Sequence, residues 1–159
     1  MKKIIIVLLA AVLFSQMTYA QKVASDKVPA AVTSAFTAKF PGASKPSWMM
    51  QNGSGYEATF KLNNEDVTAN FDASGKWQES NTKIKATSLP PAVQTTLTKD
   101  FAGYKTNEAS KVAHASTGNS YEAQIQKGED TYDVSFGPDG KVLNKTKVEK
   151  EKTEKTVKG

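Results

Sequence analysis

The chain carries one sequence unit twice, and this duplication limits the folds that it can adopt. The first copy reads YEATFKLNNEDVTANFDASGKW from Tyr56, and the second reads YEAQIQKGEDTYDVSFGPDGKV from Tyr121. Aligned without a gap, the copies share Tyr, Glu, Ala, Phe, Gly and Lys at equivalent positions. A repeated unit of this length is expected to be one supersecondary structure that needs its neighbour to bury its apolar face. The sequence therefore predicts two similar halves in one compact domain.

A helix is predicted before each copy. Apolar residues recur every four positions at Val28, Val32, Phe36 and Phe40 in the first half, and at Leu89, Val93, Leu97 and Phe101 in the second. Spacings of three and four residues are typical of one face of a helix. Pro29 and Pro90 suit the first turn of each helix, and Gly42 and Gly103 suit its end.

Each copy of the unit is predicted to be an antiparallel hairpin with a two-residue turn. Asn63-Asn64 and Gly128-Glu129 suit such turns, because Asn tolerates a positive φ and Gly fits the first position of a type II′ turn. The apolar pairs that these turns place opposite each other are Phe60–Val67, Ala58–Ala69 and Tyr56–Phe71, and then Ile125–Tyr132, Ala123–Val134 and Tyr121–Phe136. One face of each hairpin is therefore expected to be apolar.

Further strands are predicted on both sides of each hairpin. Three-residue loops ending in Gly75 and Gly140 would bring Trp77 opposite Phe71, and Val142 opposite Phe136. A preceding strand is expected around residues 45–51, with Trp48 and Met50, and its counterpart strand around residues 105–116, with Val112. Each half is then a helix followed by three or four antiparallel strands, so the predicted fold class is α+β. The sequence leaves open whether the halves form one continuous sheet.

The second face of the hairpins is polar in both copies. An antiparallel sheet commonly has one packed face and one solvated face, and we expect both helices to pack on the apolar one. The residues that we select as a candidate partner-binding face are Glu57, Thr59, Lys61, Thr68, Asn70, Gln124, Gln126 and Asp133.

Residues 1–20 are predicted to be a secretory signal peptide. Lys2 and Lys3 precede an apolar run over residues 4–14, and a small-residue cleavage site lies between Ala20 and Gln21. The run is about half of the roughly 20 apolar residues that a membrane span needs. No Cys follows the site, so a lipoprotein is excluded. We therefore expect a periplasmic or secreted protein with no membrane span after cleavage.

The chain beyond the signal peptide is divided into residues 21–86 for the first repeat, 87–144 for the second and 145–159 for a tail rich in Lys and Glu. Such a charged end is expected to be solvated. All 21 basic residues are Lys, although the formal net charge is +5. Proteins that bind nucleic acids concentrate basic charge on a folded face and favour Arg for bidentate contacts. No nucleic-acid partner is predicted.

The chain has few residues of the types that commonly act in catalysis. It has no Cys, and its one His is His114, on a predicted strand beside small residues. Those residues offer no metal site of His and Cys ligands. The acidic pairs Glu65-Asp66 and Glu129-Asp130 belong to predicted turns and do not match a calcium loop. We predict no catalytic residue, metal or cofactor; a hydrolase with an unrecognised carboxylate site is a weaker alternative.

The motifs together resemble the PepSY-like family of secreted bacterial proteins. The matching segments are VPAAVTSAFTAKFPGA, YEATF and NFDASGKW in the first half, and LPPAV, YEAQI and SFGPDGKV in the second. The resemblance covers about Asp26 to Leu143. The second half departs from the pattern with Ala102 in place of Pro41 and Val142 in place of Trp77. The family is best represented in Bacteroidetes and is similar in structure to β-lactamase inhibitory protein.

The resemblance implies a helix-on-sheet repeat used twice in an exported, non-enzymatic protein that acts by binding. We therefore expect a module of the periplasm that inhibits an enzyme or binds another protein through the polar face of its sheet. A structural or stress protein of the cell envelope is the alternative from a different class. Because a fold does not fix a function, no functional residue is transferred from the inhibitor.

Overall fold

The computed structural model describes residues 21–149 of the chain. The predicted signal peptide and residues 150–159 of the predicted tail lie outside the described residues. The elements in chain order are β1 (Gln21–Val23), α1 (Ala30–Lys39), β2 (Ser47–Gln51), β3 (Gly55–Leu62), β4 (Glu65–Asp72), β5 (Trp77–Ile84), α2 (Pro91–Asp100), β6 (Lys105–His114), β7 (Gly118–Lys127), β8 (Asp130–Phe136) and β9 (Val142–Lys147). No described helix is long and apolar enough to cross a membrane.

The described strands form one antiparallel sheet in which spatial order follows sequence order from β1 to β9. The two halves meet where β5 pairs with β6, with Ser80 opposite Ala113. This pairing answers the question that the sequence left open, because both hairpins belong to the same sheet. The pairing could not be read from the repeat, since every strand edge in an isolated half is equally able to accept a neighbour.

The predicted hairpin registers are confirmed. Phe60 faces Val67 in the first hairpin, and Ile125 faces Tyr132 in the second. The turn residues Asn63 and Asn64 have φ values of 51° and 67°, and Gly128 has a φ of 60°. These positive angles are the ones that tight hairpin turns require.

The strand that follows each hairpin, β5 or β9, also pairs with the hairpin in the expected place. Trp77 lies opposite Phe71, and Val142 lies opposite Phe136. Each of these ladders contains an irregularity at that point, between Asn70 and Phe71 or between Ser135 and Phe136. The two halves therefore share the same local distortion of the sheet.

The edge strand β1 was not predicted. It has three residues and pairs with β2, with Val23 opposite Trp48. Three residues are too few to reveal an alternating pattern, and the strand is held by a partner about 25 positions away in sequence. It lies directly after the predicted cleavage site and forms one edge of the described sheet.

Two separate cores lie on the same side of the sheet, each under one helix. The first joins Val32 and Phe36 of α1 to the strands, and its buried strand residues are Trp48, Ala58, Phe60, Val67, Ala69 and Phe71. The second joins Leu89 and Val93 to buried residues of the later strands, which are Ala109, Ala123, Ile125, Val134 and Phe136. Between the cores lies Ser80, a buried polar residue that pairs with Ala69 and Ala113.

The residue of the second half that is equivalent to Trp48 is Ala109, which the sequence interpretation did not single out. Trp48 faces Ala58, and the residue that faces the equivalent Ala123 is Ala109, which belongs to the second core. Val112 instead pairs with Asn81 and Ser120, and it lies on the side of the sheet away from the helices. The second half has four extra residues before its Tyr, and β6 is correspondingly longer than β2. An insertion of this kind shifts which residue of a strand faces the core.

Candidate binding face on the open side of the sheet

The side of the sheet opposite the helices, here called the open face, carries all eight predicted residues. Residues that pair across an antiparallel sheet share a side, and successive residues alternate. The pairs Thr59–Thr68 and Gln124–Asp133 therefore belong to one side of the sheet, because Thr59 and Gln124 alternate with the core residues Ala58 and Ala123. No described helix packs against this side of the sheet.

The eight residues form two groups rather than one. Those of the first half lie on β3 and β4, and those of the second lie on β7 and β8, so β5 and β6 separate them. The open-face residues of the central region that are not among the eight selected candidates are Glu79, Asn81, Lys83, Ser110, His114 and Glu122. The alternation in WQESNTKI was visible, but only the pairing of β5 with β6 places this strand at the centre of the face.

Four carboxylates of the open face each accept a hydrogen bond from a side-chain amide. The pairs are Gln51 to Glu57 at 2.6 Å, Asn70 to Glu79 at 3.1 Å, Asn81 to Glu122 at 3.4 Å and Gln124 to Asp133 at 3.1 Å. A carboxamide donates a hydrogen bond without carrying a charge. The amides therefore orient the four carboxylates and leave their negative charge in place.

The lysines of the open face that form ion pairs do so with acids other than the four amide-bonded carboxylates. Lys61 Nζ lies 2.6 Å from a carboxylate oxygen of Asp66, and Lys83 Nζ lies 3.1 Å from one of Glu108. Both pairs are largely exposed, and such pairs stabilise a fold by about 0–1 kcal/mol. Within residues 21–149, no lysine forms an ion pair with any of the four amide-bonded carboxylates. The middle of the face therefore has unbalanced negative charge.

His114 lies beside one of these carboxylates. Its Nε2 is 3.4 Å from Glu79, and its Nδ1 is 3.2 Å from the hydroxyl oxygen of Ser116. The ring is about one-third exposed. This geometry fits the surface position on a strand that the sequence indicated. The ring links the Ser116 hydroxyl to the Glu79 carboxylate, which are the groups of a Ser-His-acid triad, but the nitrogens have exchanged partners. In the usual triad Nε2 faces the serine and Nδ1 faces the acid.

The pKa of Glu122 is raised above its ordinary value of 4.5, chiefly by burial and then by the negative charges of Glu79 and Asp133. The folded state therefore holds this proton more tightly than the unfolded chain does. The contribution of Glu122 to stability is consequently lost as the pH rises above its unfolded-state value and through its higher folded-state value.

We expect Glu122→Gln to be more stable than the wild type at pH 7, by about 0.5 kcal/mol for a partly exposed group. The gain should shrink at pH 4, where the wild-type carboxyl is largely protonated. Urea unfolding at both pH values measures the difference, with the exposed turn substitution Glu129→Gln as the control. A Glu122→Gln protein that is less stable at pH 7 would contradict the interpretation.

Two depressions of the described surface are open to solvent: one lies on the outer side of α1 beside Thr33 and Thr37, and the other lies beside Asp130 and Lys147. Neither lies on the open face. Among residues 21–149, no group of three His, Cys, Asp or Glu side chains is arranged to hold a metal ion.

A comparison with protein-family models finds a match over residues 54–144, and its description is beta-lactamase-inhibitor-like, PepSY-like. The match spans more than half of the chain. The chain belongs to this PepSY-like family. The resemblance inferred from the Tyr-Glu-Ala and Phe-x-Gly motifs is therefore confirmed. No curated protein matches the chain.

Solved structures similar to this PepSY-like protein come from several Bacteroides species. A BLIP-like protein of Bacteroides fragilis superposes with a TM-score of 0.68 at 21% identity, covering 74% of this chain and 84% of its own. A DUF2874 family protein of Bacteroides uniformis gives 0.70 at 22% identity, with 75% and 88% covered. A Bacteroides eggerthii protein, provisionally described as periplasmic, gives 0.69 at 22% identity, with 76% and 88% covered. At these identities, the likeness establishes the fold alone.

Proposed function

We propose that this PepSY-like protein is an exported, non-enzymatic binding module that recognises another protein through the open face of its sheet. The observation that carries the proposal is the open face itself. It crosses both halves without interruption, and the described helices lie on the other side. Its side chains are mostly polar and partly exposed, as in the interfaces of proteins that associate reversibly.

The layout of the fold supports binding over catalysis. The four amide-bonded carboxylates lie on different strands of a broad surface, whereas a glycoside hydrolase of the usual kind needs two acids that converge on one bond. The family description and the BLIP-like neighbour refer to an inhibitor, which favours a protein as the ligand. Enzyme inhibition is the specific form of binding that this likeness suggests.

The proposed module is two tandem helix-and-sheet repeats, residues 21–86 and 87–144, that act as one compact domain after removal of residues 1–20. The provisional description of the Bacteroides eggerthii relative as periplasmic supports a destination outside the cytoplasm. A structural role in the cell envelope is the alternative, and it predicts no selective partner for the open face.

The test is capture of partners from a periplasmic extract with the protein that begins at Gln21. We expect the paired charge reversal Lys61→Glu and Glu57→Lys to abolish capture of the partners that the wild type retains, because both side chains lie on the open face. A matched reversal on the exposed end of α2, Lys99→Glu with Asp100→Lys, should leave capture unchanged. If the wild type and the open-face variant capture identical partners, the face does not bind.

A further inference from the structure

We infer that the partner of the open face is a cationic protein surface, whose lysine or arginine side chains bind Glu57, Glu79, Glu122 and Asp133. This inference rests on the proposed function and specifies the class of partner. It depends on the distance over which the four carboxylates are spread, on their hydrogen bonds and on the charge of the face.

The spread of the four carboxylates suits a protein surface better than a small ligand. They lie on β3, β5, β7 and β8 of one sheet. Neighbouring strands are about 4.8 Å apart, so β3 and β8 are separated by roughly 24 Å. This distance is close to the width of a standard protein interface, which buries about 800 Å² on each partner. A single metal ion or a small cation could contact only one or two of the four.

The hydrogen bonds of the four carboxylates leave them able to bind cations. Each carboxylate uses part of its acceptor capacity on one amide N–H, and an ionised carboxylate has lone pairs for further donors. All four side chains belong to partly buried residues, so some of their hydration is already lost before a partner docks. Guanidinium and ammonium groups are the donors that would also cancel the charge.

Two lysines of the face are already paired with other acids and therefore do not neutralise the four carboxylates. Lys61 and Lys83 are each paired with a neighbouring acid, Asp66 and Glu108. Burial, and then the negative charges of Glu79 and Asp133, disfavour Glu122 as an anion, and a docked cation would relieve the repulsion between the carboxylates. An acidic partner would meet the same four carboxylates and be repelled, since like charges brought together at an interface oppose binding.

The test measures binding of a fluorescein-labelled peptide of alternating lysine and threonine by fluorescence anisotropy, with a glutamate and threonine peptide as the reference. The open-face variant combines Glu57→Gln, Glu79→Gln, Glu122→Gln and Asp133→Asn, which preserve size and hydrogen-bonding capacity. The control variant removes the same charge elsewhere through Asp26→Asn, Glu65→Gln, Asp100→Asn and Glu129→Gln. Chemical unfolding of both variants establishes that each is folded.

We expect the open-face variant to bind the lysine peptide about tenfold more weakly than the wild type, because each partly exposed ion pair contributes a small factor. The control variant should bind within about twofold of the wild type, and raising the salt should weaken binding, since exposed charges are screened. A converse variant, Gln126→Glu, adds a carboxylate to the face and should bind more tightly.

Three results would overturn the inference: no binding of the lysine peptide to the wild type, equal losses in both variants, or equal affinity for the glutamate peptide. The proposed function is judged separately by the capture experiment. If charge reversal at Lys61 and Glu57 abolishes capture while the four-amide variant still captures the same partners, the face binds a protein and only its cationic character is disproved.

Discussion

Replacing Gly140 by alanine is expected to lower the free energy of unfolding by about 2–4 kcal/mol, because it combines backbone strain with overpacking. Gly140 has a φ of 82°, where a side chain is disfavoured. A Cβ placed there would lie 2.5 Å from the carbonyl oxygen of Ala92 in the first turns of α2. The loop cannot simply move away, since Thr96 Oγ1 donates a hydrogen bond to the carbonyl oxygen of Gly140 at 2.8 Å.

The first half has the same contact, so Gly75→Ala is expected to have a similar effect. Gly75 has a φ of 87°, and its Cβ would lie 2.5 Å from the carbonyl oxygen of Ala31. In both halves the glycine therefore lets the loop between the last two strands approach the start of the helix.

Gly118→Ala is the matched control for these two substitutions. Its φ of 81° imposes similar strain, but no atom lies within 4 Å of the added Cβ. Strain alone should lower the free energy of unfolding by about 1 kcal/mol. Urea unfolding of the three variants separates strain from contact, and equal losses at Gly118 and Gly140 would show that the loop does not pack closely on the helix.

Phe136→Ala is expected to destabilise the protein by about 3–5 kcal/mol, the usual cost of removing a buried aromatic side chain. Phe136 is 0% exposed and lies in the second core. Its ring centroid is 6.3 Å from that of Phe101, at 84° between the ring planes. The residue is one of the shared positions of the duplicated unit, and Phe71, 1% exposed, is its equivalent in the first core.

The control for Phe136→Ala is Leu143→Ala on the neighbouring strand β9. Leu143 is 53% exposed, so we expect a loss of at most about 0.5 kcal/mol, as for surface substitutions in general. Chemical denaturation followed by far-ultraviolet circular dichroism, which reports on both halves, measures both changes. Similar losses in the two variants would mean that Phe136 does not support the second core.

The fold was predictable largely because its local rules are strong. Asn63-Asn64 and Gly128-Glu129 each admit a tight turn, and a tight turn determines which residues of the hairpin face each other. Only in the correct register do the apolar residues of both strands lie on the same side of the sheet. The helices were predicted from the spacing of residues such as Val32 and Phe36, which face the first core.

The candidate face was only half predictable. Glu57 and Gln124 were found because each belongs to a hairpin whose register follows from its own turn. Glu79 and Glu122 were missed as parts of one surface, because their proximity depends on the pairing of β5 with β6. Ala109, the equivalent of Trp48, was not singled out for a related reason, since the insertion in the second half shifts the strand against the repeat.

By itself, the sequence determined the family, the two helices, the hairpin registers and the polar character of one face. These properties depend on contacts between residues near each other in the chain, which turn type and hydrophobic period specify. Only the tertiary structure decided that the halves share one sheet, that β1 extends its edge and that the four carboxylates lie across a single surface. Those features depend on the pairing of strand edges, and the hydrogen-bonding groups of one edge are nearly the same as those of any other.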